Sequence, residues 1–139
     1  MQSYRDLRIW KRAHALVREL YRMTGDLPCA ARQIVGDELR GASIQIPAYI
    51  AAASRSLAPA DYAAALNRAE AALARTEYFL LLGLDVEDLP LELSHALLAE
   101  IRAIDRALAA LRERLSGTPD ERATRPYRLG LGIVRSPME

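Results

Sequence analysis

Residues 35–54 read VGDELRGASIQIPAYIAAAS. Val35, Leu39, Ala42, Ile46, Ile50 and Ala53 recur in this stretch at intervals of four, three, four, four and three residues. A helix advances about 100° per residue, so these positions form one apolar stripe, the core seam of a helix packed against others. Pro47 lies inside the seam. It removes one backbone donor and crowds the preceding turn, so a kink is expected between Ser43 and Ile46. Beyond Ala42 the helix is apolar on nearly every side, through Ile44, Ala48, Tyr49, Ala51 and Ala52.

The same periodicity appears on both sides of this stretch. Upstream, a helix is expected from about Asp6 to Thr24, capped by Ser3 or Asp6 and ended by Gly25. Ile9, Trp10, Ala13, Leu16, Val17 and Leu20 share one face, and Arg8, Lys11, Arg12, Arg18 and Arg22 occupy the opposite arc. The second helix itself should run from about Ala30 to Ser54. A third opens at Ala58-Pro59-Ala60-Asp61 and is expected to stop at Gly83. Its seam is Tyr62, Leu66, Ala69, Leu73, Thr76 and Leu80. A fourth starts near Asp88 to Pro90 and ends by Ser116-Gly117, with Leu97, Ile101, Ile104, Leu108, Leu111 and Leu115 in a near-heptad.

Four helices joined by short connections pack most economically as an antiparallel up-down-up-down bundle. The expected class is therefore all-α, with residues 1–117 forming the bundle and 118–139 a C-terminal tail or arm. In that tail Tyr127, Leu129, Leu131 and Ile133 alternate with Arg128, Gly130 and Gly132, the period of an extended segment.

Composition agrees. The 139 residues include 25 Ala and 22 Leu but only 6% aromatics, which excludes disordered, collagenous and disulfide-built classes and disfavours a β protein. The single Cys29 cannot form an internal disulfide. The N-terminus shows no apolar signal region, and no apolar run reaches the roughly 18 residues that span a bilayer. A cytoplasmic protein with no membrane partner is expected.

In a small bundle each helix should keep a solvated side. The second and third carry extra apolar surface instead: Ile44, Ala48, Tyr49 and Ala52 on one, and Ala64, Ala71, Tyr78 and Leu82, broken by Arg68 and Arg75, on the other. Such surface calls for a partner, and these eight residues are the expected contacts of a homo-oligomer.

Charge is balanced at +1, but 18 of the 19 cations are arginine, Lys11 being the exception. GC-rich codon usage would account for both the arginines and the alanines. Arg8, Lys11, Arg12, Arg18 and Arg22 nevertheless form a basic face over four turns, the candidate surface for a phosphate backbone. A solvated helix face is the plainer reading, because the chain has one Trp, no aromatic residue interleaves with the cations on that face, and the net charge is only +1.

Catalytic and metal chemistry find little support. A di-metal bundle needs Glu-x-x-His on two helices. Glu92 and His95 fit, but they point away from their seam, and Lys11 stands where His14 would need a Glu. No metal or cofactor is expected. Arg8 and His14 form an Arg-x5-His pattern similar to that of helical HEPN-type ribonucleases, although Ile9 stands where that pattern has a polar residue. This is the enzymatic alternative to a non-catalytic protein. Glu70 and Glu77 lie at the edge of the third seam, and Arg40 is a candidate salt-bridge partner for them.

Two stretches resemble a known family. Tyr4, Asp6, Leu7, Ile9, Trp10 and Ala13 follow the "Y-x-D-L-x-V-W-x-x-A" opening of the bacterial four-helix-bundle family named for proteins encoded in intervening sequences of 23S ribosomal RNA genes. Arg40, Ala42, Ile46, Pro47, Ile50 and Ala51 match its second-helix pattern, "Q-I-R-R-A-x-x-S-I-P-x-N-I-A-E-G". The likeness covers about residues 4–115. Tyr49, Ala52 and Ala53 replace the family's Asn, Glu and Gly, and Arg75 replaces a Glu on the third helix. The resemblance implies a four-helix bundle, ring-like oligomers with a pentamer favoured, and no established catalysis. A related branch of strongly basic retroelement accessory proteins binds nucleic acid, and a net charge of +1 fits that branch poorly. The expectation is a non-enzymatic homopentamer acting as a binding or scaffold module, with RNA as a candidate partner and a protein-protein adaptor as the alternative.

Overall fold

The chain begins with a single 3-10 turn, Tyr4–Asp6, started by Ser3, whose hydroxyl accepts from Arg5 N at 3.2 Å. The computed structural model describes residues 3–116, and over that span the chain is all-helical, with no strand. Helix α1 runs Arg8–Gly25, so the expected start at Asp6 is taken up by the 3-10 turn. Helix α2 spans residues 29–54, α3 is Pro59–Asp85 and α4 is Leu91–Ser116. Pro59 occupies the first turn of α3, where its missing N–H costs nothing. The expected tail, 118–139, lies outside the described residues.

The expected seams form one core among the described side chains, Leu115 of the fourth lying outside them. Leu16 and Leu20 of α1, Leu39, Ile46 and Ile50 of α2, Leu66, Leu73 and Leu80 of α3, and Ile101, Ile104 and Leu108 of α4 are all fully buried within it. Ion pairs between helices surround this core. Arg12 of α1 meets Glu100 of α4, and Glu70 and Glu77 of α3 meet Arg112 and Arg102 of α4.

Helix α2 is less regular than its seam suggests. Its first turn, Cys29–Ala31, passes into a π-helical turn, Arg32–Gly36, before Asp37–Ser43 resumes α geometry. The apolar spacing does not reveal that wider turn. The break expected from Pro47 falls at Ile44, between Asp37–Ser43 and Gln45–Ser54. Pro47 has no N–H to give the Ser43 carbonyl, and the next hydrogen bond, Ala48 N to Ile44 O, is stretched to 3.4 Å.

Gly83 does not end α3, contrary to expectation. The helix continues to Asp85 and closes with a Schellman motif. Asp88 N donates to Gly83 O at 2.9 Å and Glu87 N to Leu84 O at 3.1 Å, with Glu87 in the left-handed region at φ 61°. The glycine serves packing instead. A Cβ at position 83 would lie 2.4 Å from Leu89 Cδ1 and 2.6 Å from Leu89 Cγ.

Candidate ligand and subunit surfaces

The basic face of α1 is thinner than the sequence suggests. Arg12 is held by two hydrogen bonds to Glu100, Nε to Oε2 at 3.0 Å and Nη2 to Oε1 at 2.9 Å. That hydrogen bonding, with the charge of Glu100, holds the Arg12 guanidinium above its ordinary pKa against an opposing burial effect. Arg22 is paired with Glu19 one turn away. Arg8, Lys11 and Arg18 stay exposed, with no ion pair to any described residue.

Aromatic groups lie along one edge of this face. Trp10 and His14 stack with ring centroids 4.8 Å apart and planes 12° from parallel, and Tyr4 meets Trp10 edge-on at 5.3 Å. Trp10 is half-buried and His14 exposed, so the outer side of the stack is the imidazole. The i, i+4 spacing of Trp10 and His14 was a usable signal, because such residues sit one above the other on a helix. Tyr4 joins them only through the 3-10 turn. The Arg8–His14 pair of the ribonuclease alternative has no hydrogen bond between its members. Arg8 lines a cavity at the start of α1, whereas His14 lies on Trp10.

Arg40 does not pair with Glu70 or Glu77. It crosses to α1, where Nε donates to Thr24 Oγ1 at 2.7 Å and Nη2 to Tyr21 O at 3.0 Å. Glu70 takes Arg112 at 3.0 Å and Glu77 takes Arg102 at 3.4 Å, both from α4. Arg112 also reaches Asn67 Oδ1 at 3.3 Å. The seam geometry placed the two carboxylates correctly but not the helix that answers them.

Of the eight expected subunit contacts, Ile44, Ala48 and Ala52 of α2 and Ala64, Ala71 and Tyr78 of α3 are exposed. Tyr78 leaves 58% of its surface in solvent. Tyr49 and Leu82 are half-buried on their own chain, Tyr49 packing against the core beneath the Arg68 guanidinium, 5.8 Å from its ring centroid. Ile34 and Leu81, which the sequence reading missed, are also exposed, Ile34 by 65%. Ile34 lies in the first, irregular third of α2, where the seam spacing gave no register.

Among the described residues, no cluster of three or more His, Cys, Asp or Glu is arranged to hold a metal ion. No described helix is long and apolar enough to cross a membrane. The molecule so defined is an all-helical protein with one apolar core, exposed apolar residues on the outer side of α2 and α3 interrupted by Arg68 and Arg75, and a modest basic face on α1. A family model described as 23S rRNA-intervening sequence protein matches residues 5–110, and the chain belongs to that family. No curated protein matches the chain. The matched span contains the opening motif from Asp6 to Ala13, Arg40 and the Ile46-Pro47 break.

Proposed function

We propose that this chain is a non-catalytic, cytoplasmic, self-associating helical module. It assembles as a ring-like homo-oligomer, a pentamer being favoured, and presents the α1 face to RNA. Its subunit is an antiparallel up-down-up-down bundle. Contacts that run in opposite order along paired helices support this arrangement: Glu70 with Arg112 and Glu77 with Arg102, and Arg12 with Glu100 and Met23 with Ser94.

The observation that carries the assembly is the exposed outer surface of α2 and α3. Ile34, Ile44, Tyr78 and Leu81 stand in solvent beside Ala48, Ala52, Ala64 and Ala71. Alanine alone on that surface would reflect helix propensity. The larger side chains among the alanines make it a surface built for close helix–helix contact, and a second copy supplies the same chemistry. Family membership is consistent with a non-catalytic role.

The RNA reading rests on Arg8, Lys11 and Arg18 next to the Trp10–His14 stack, which combine phosphate-pairing cations with an aromatic surface for an unstacked base. A protein-protein adaptor uses the same assembly without the RNA. Purification without nuclease tests both, with mass by light scattering and the 260/280 absorbance ratio read on one peak. A multimer with excess absorbance at 260 nm is expected. A particle of monomer mass, 15.4 kDa, at micromolar concentration would refute the assembly. A multimer free of nucleic acid that also fails to bind added RNA at low salt leaves the adaptor.

A further inference from the structure

A cavity of about 550 Å³ opens where the start of α1, the end of α2, the start of α3 and the end of α4 come together. Its size falls in the range of roughly 300–1,000 Å³ typical of small-molecule sites. Ile50 of α2, Leu66 of α3 and Leu111 of α4 provide an apolar bed, and Arg8, Arg12 and Arg114 stand in its wall. No Asp or Glu among the described residues lines it. Arg12 is neutralised by Glu100, but Arg8 and Arg114 have no acidic partner among the described residues. An apolar bed beside uncompensated guanidinium groups is complementary to one kind of molecule, an anion carrying a hydrocarbon body. Water would solvate the arginines but leave the apolar bed wet, and a neutral apolar guest would leave the arginines unused.

We infer that this cavity binds an amphiphilic anion, its hydrocarbon part over Ile50, Leu66 and Leu111 and its carboxylate or phosphate head on Arg8 and Arg114. The site lies apart from the proposed α2–α3 contact surface and shares only Arg8 with the proposed RNA face.

The test uses the full chain and isothermal titration with two probes of closely similar tail and opposite charge, dodecanoate and dodecyltrimethylammonium, both kept below micelle formation. Dodecanoate is expected to bind once per chain, about tenfold or more tighter than the cation, the scale of charge-assisted hydrogen bonds. The double variant Arg8→Gln/Arg114→Gln should remove that difference. Ala107→Phe, which projects a ring into the cavity from a half-buried position, should weaken both probes. Dodecyl phosphate against dodecanoate then distinguishes a phosphate head from a carboxylate. Equal affinity for the two charges overturns the site. So does absence of dodecanoate binding at millimolar concentration, the result expected if residues beyond 116 or a neighbouring subunit fill the space. The comparison of probes on the unaltered chain decides the matter even if a variant fails to fold.

Discussion

Arg40 Nε donates to Thr24 Oγ1 at 2.7 Å across the α1–α2 contact, and Thr24 Oγ1 donates onward to Leu20 O at 2.8 Å. The same guanidinium lies 4.4 Å over the Tyr21 ring. Arg32 adds a bond to Gly25 O at 3.2 Å. Two arginines of α2 thus bind the C-terminal end of α1, where the helix dipole favours positive charge, and Arg32 takes a carbonyl that lacks a helical partner.

Arg40→Met should therefore lower stability by about 1.5–3 kcal/mol, the scale of hydrogen bonds made by a charged group. Thr24→Val should lower it by about 1 kcal/mol, because the arginine keeps Tyr21 O. Urea denaturation of both singles and the double variant checks the coupling, which should be less than additive. Arg40→Lys should recover little of the loss, since an ammonium lacks the fork that reaches two acceptors and stacks on Tyr21. Full recovery by lysine would reduce Arg40 to a simple surface charge.

The end of α3 yields two substitutions of opposite sign. Gly83→Ala gains about 1 kcal/mol of helix propensity. It also places a methyl 2.4 Å from Leu89 Cδ1, and overpacking of this kind costs about 1–3 kcal/mol. Packing is expected to prevail, and Leu89→Ala in the same chain should relieve the clash. Glu87→Gly should stabilise by up to about 1 kcal/mol, because Glu87 holds φ 61° where glycine is unstrained. Thermal melts of the three variants test the signs. A stabilising Gly83→Ala in the presence of Leu89 would contradict the close packing.

Two arginine–carboxylate pairs should differ by several-fold in their contribution. Arg112 and Glu70 are mostly buried, with side-chain exposures of 10% and 16%, whereas Arg12 and Glu100 are over a third exposed. Removing one partner of a buried pair costs about 3–5 kcal/mol, because a charge is left in the interior. An exposed pair is worth about 0–1 kcal/mol. Glu70→Ala should accordingly unfold at much lower urea than Glu100→Ala. The raised pKa of Arg12 implies stability that is present below its unfolded value and lost only as pH rises through the folded one. No change from this pair is expected at neutral pH.

Subunit contacts on α2 and α3 predict dissociation without unfolding. Ile44→Asp and Tyr78→Asp each place a charge on an exposed apolar position outside the core. Either should shift the light-scattering mass toward the monomer while circular dichroism keeps its helical signal. A matching aspartate at His95, exposed on α4, should leave the mass unchanged. Intact multimers in both Ile44→Asp and Tyr78→Asp would move the contact away from this surface.

Periodicity made the helices and their buried faces legible, because Leu39, Ile46, Leu73 and Ile104 had to share one interior whatever their exact neighbours. Local chemistry located the Pro47 break to within a few residues. Three features left no mark in the spacing. Gly83 is dictated by Leu89 across the α3–α4 turn. Arg40 chose Thr24 over the carboxylates of α3. The π turn at Arg32–Gly36 keeps helical dihedrals, so sequence pattern could not register it. Of the five cations proposed for α1, the sequence showed their shared face but not that Glu100 and Glu19 would engage two of them.

The Trp10–His14 stack separates RNA binding from RNA cleavage. Trp10 is the only tryptophan in the chain, so its fluorescence reports on this one place. A single-stranded oligonucleotide whose base stacks on His14 should quench that signal, and His14→Ala should weaken binding by about 1–3 kcal/mol, the range for loss of one stacked base. Arg18→Gln, removing one exposed cation, should flatten the dependence of log Kd on log salt by about 0.7 for a single strand. The RNA recovered from these mixtures should be intact with both the unaltered chain and His14→Ala. Cleavage by the former alone would instead make His14 a catalytic group, with Arg8 its first candidate partner. Absence of both quenching and cleavage at about 50 mM salt, where phosphate contacts are strong, would leave α1 as a solvated face and the chain as a protein-binding module.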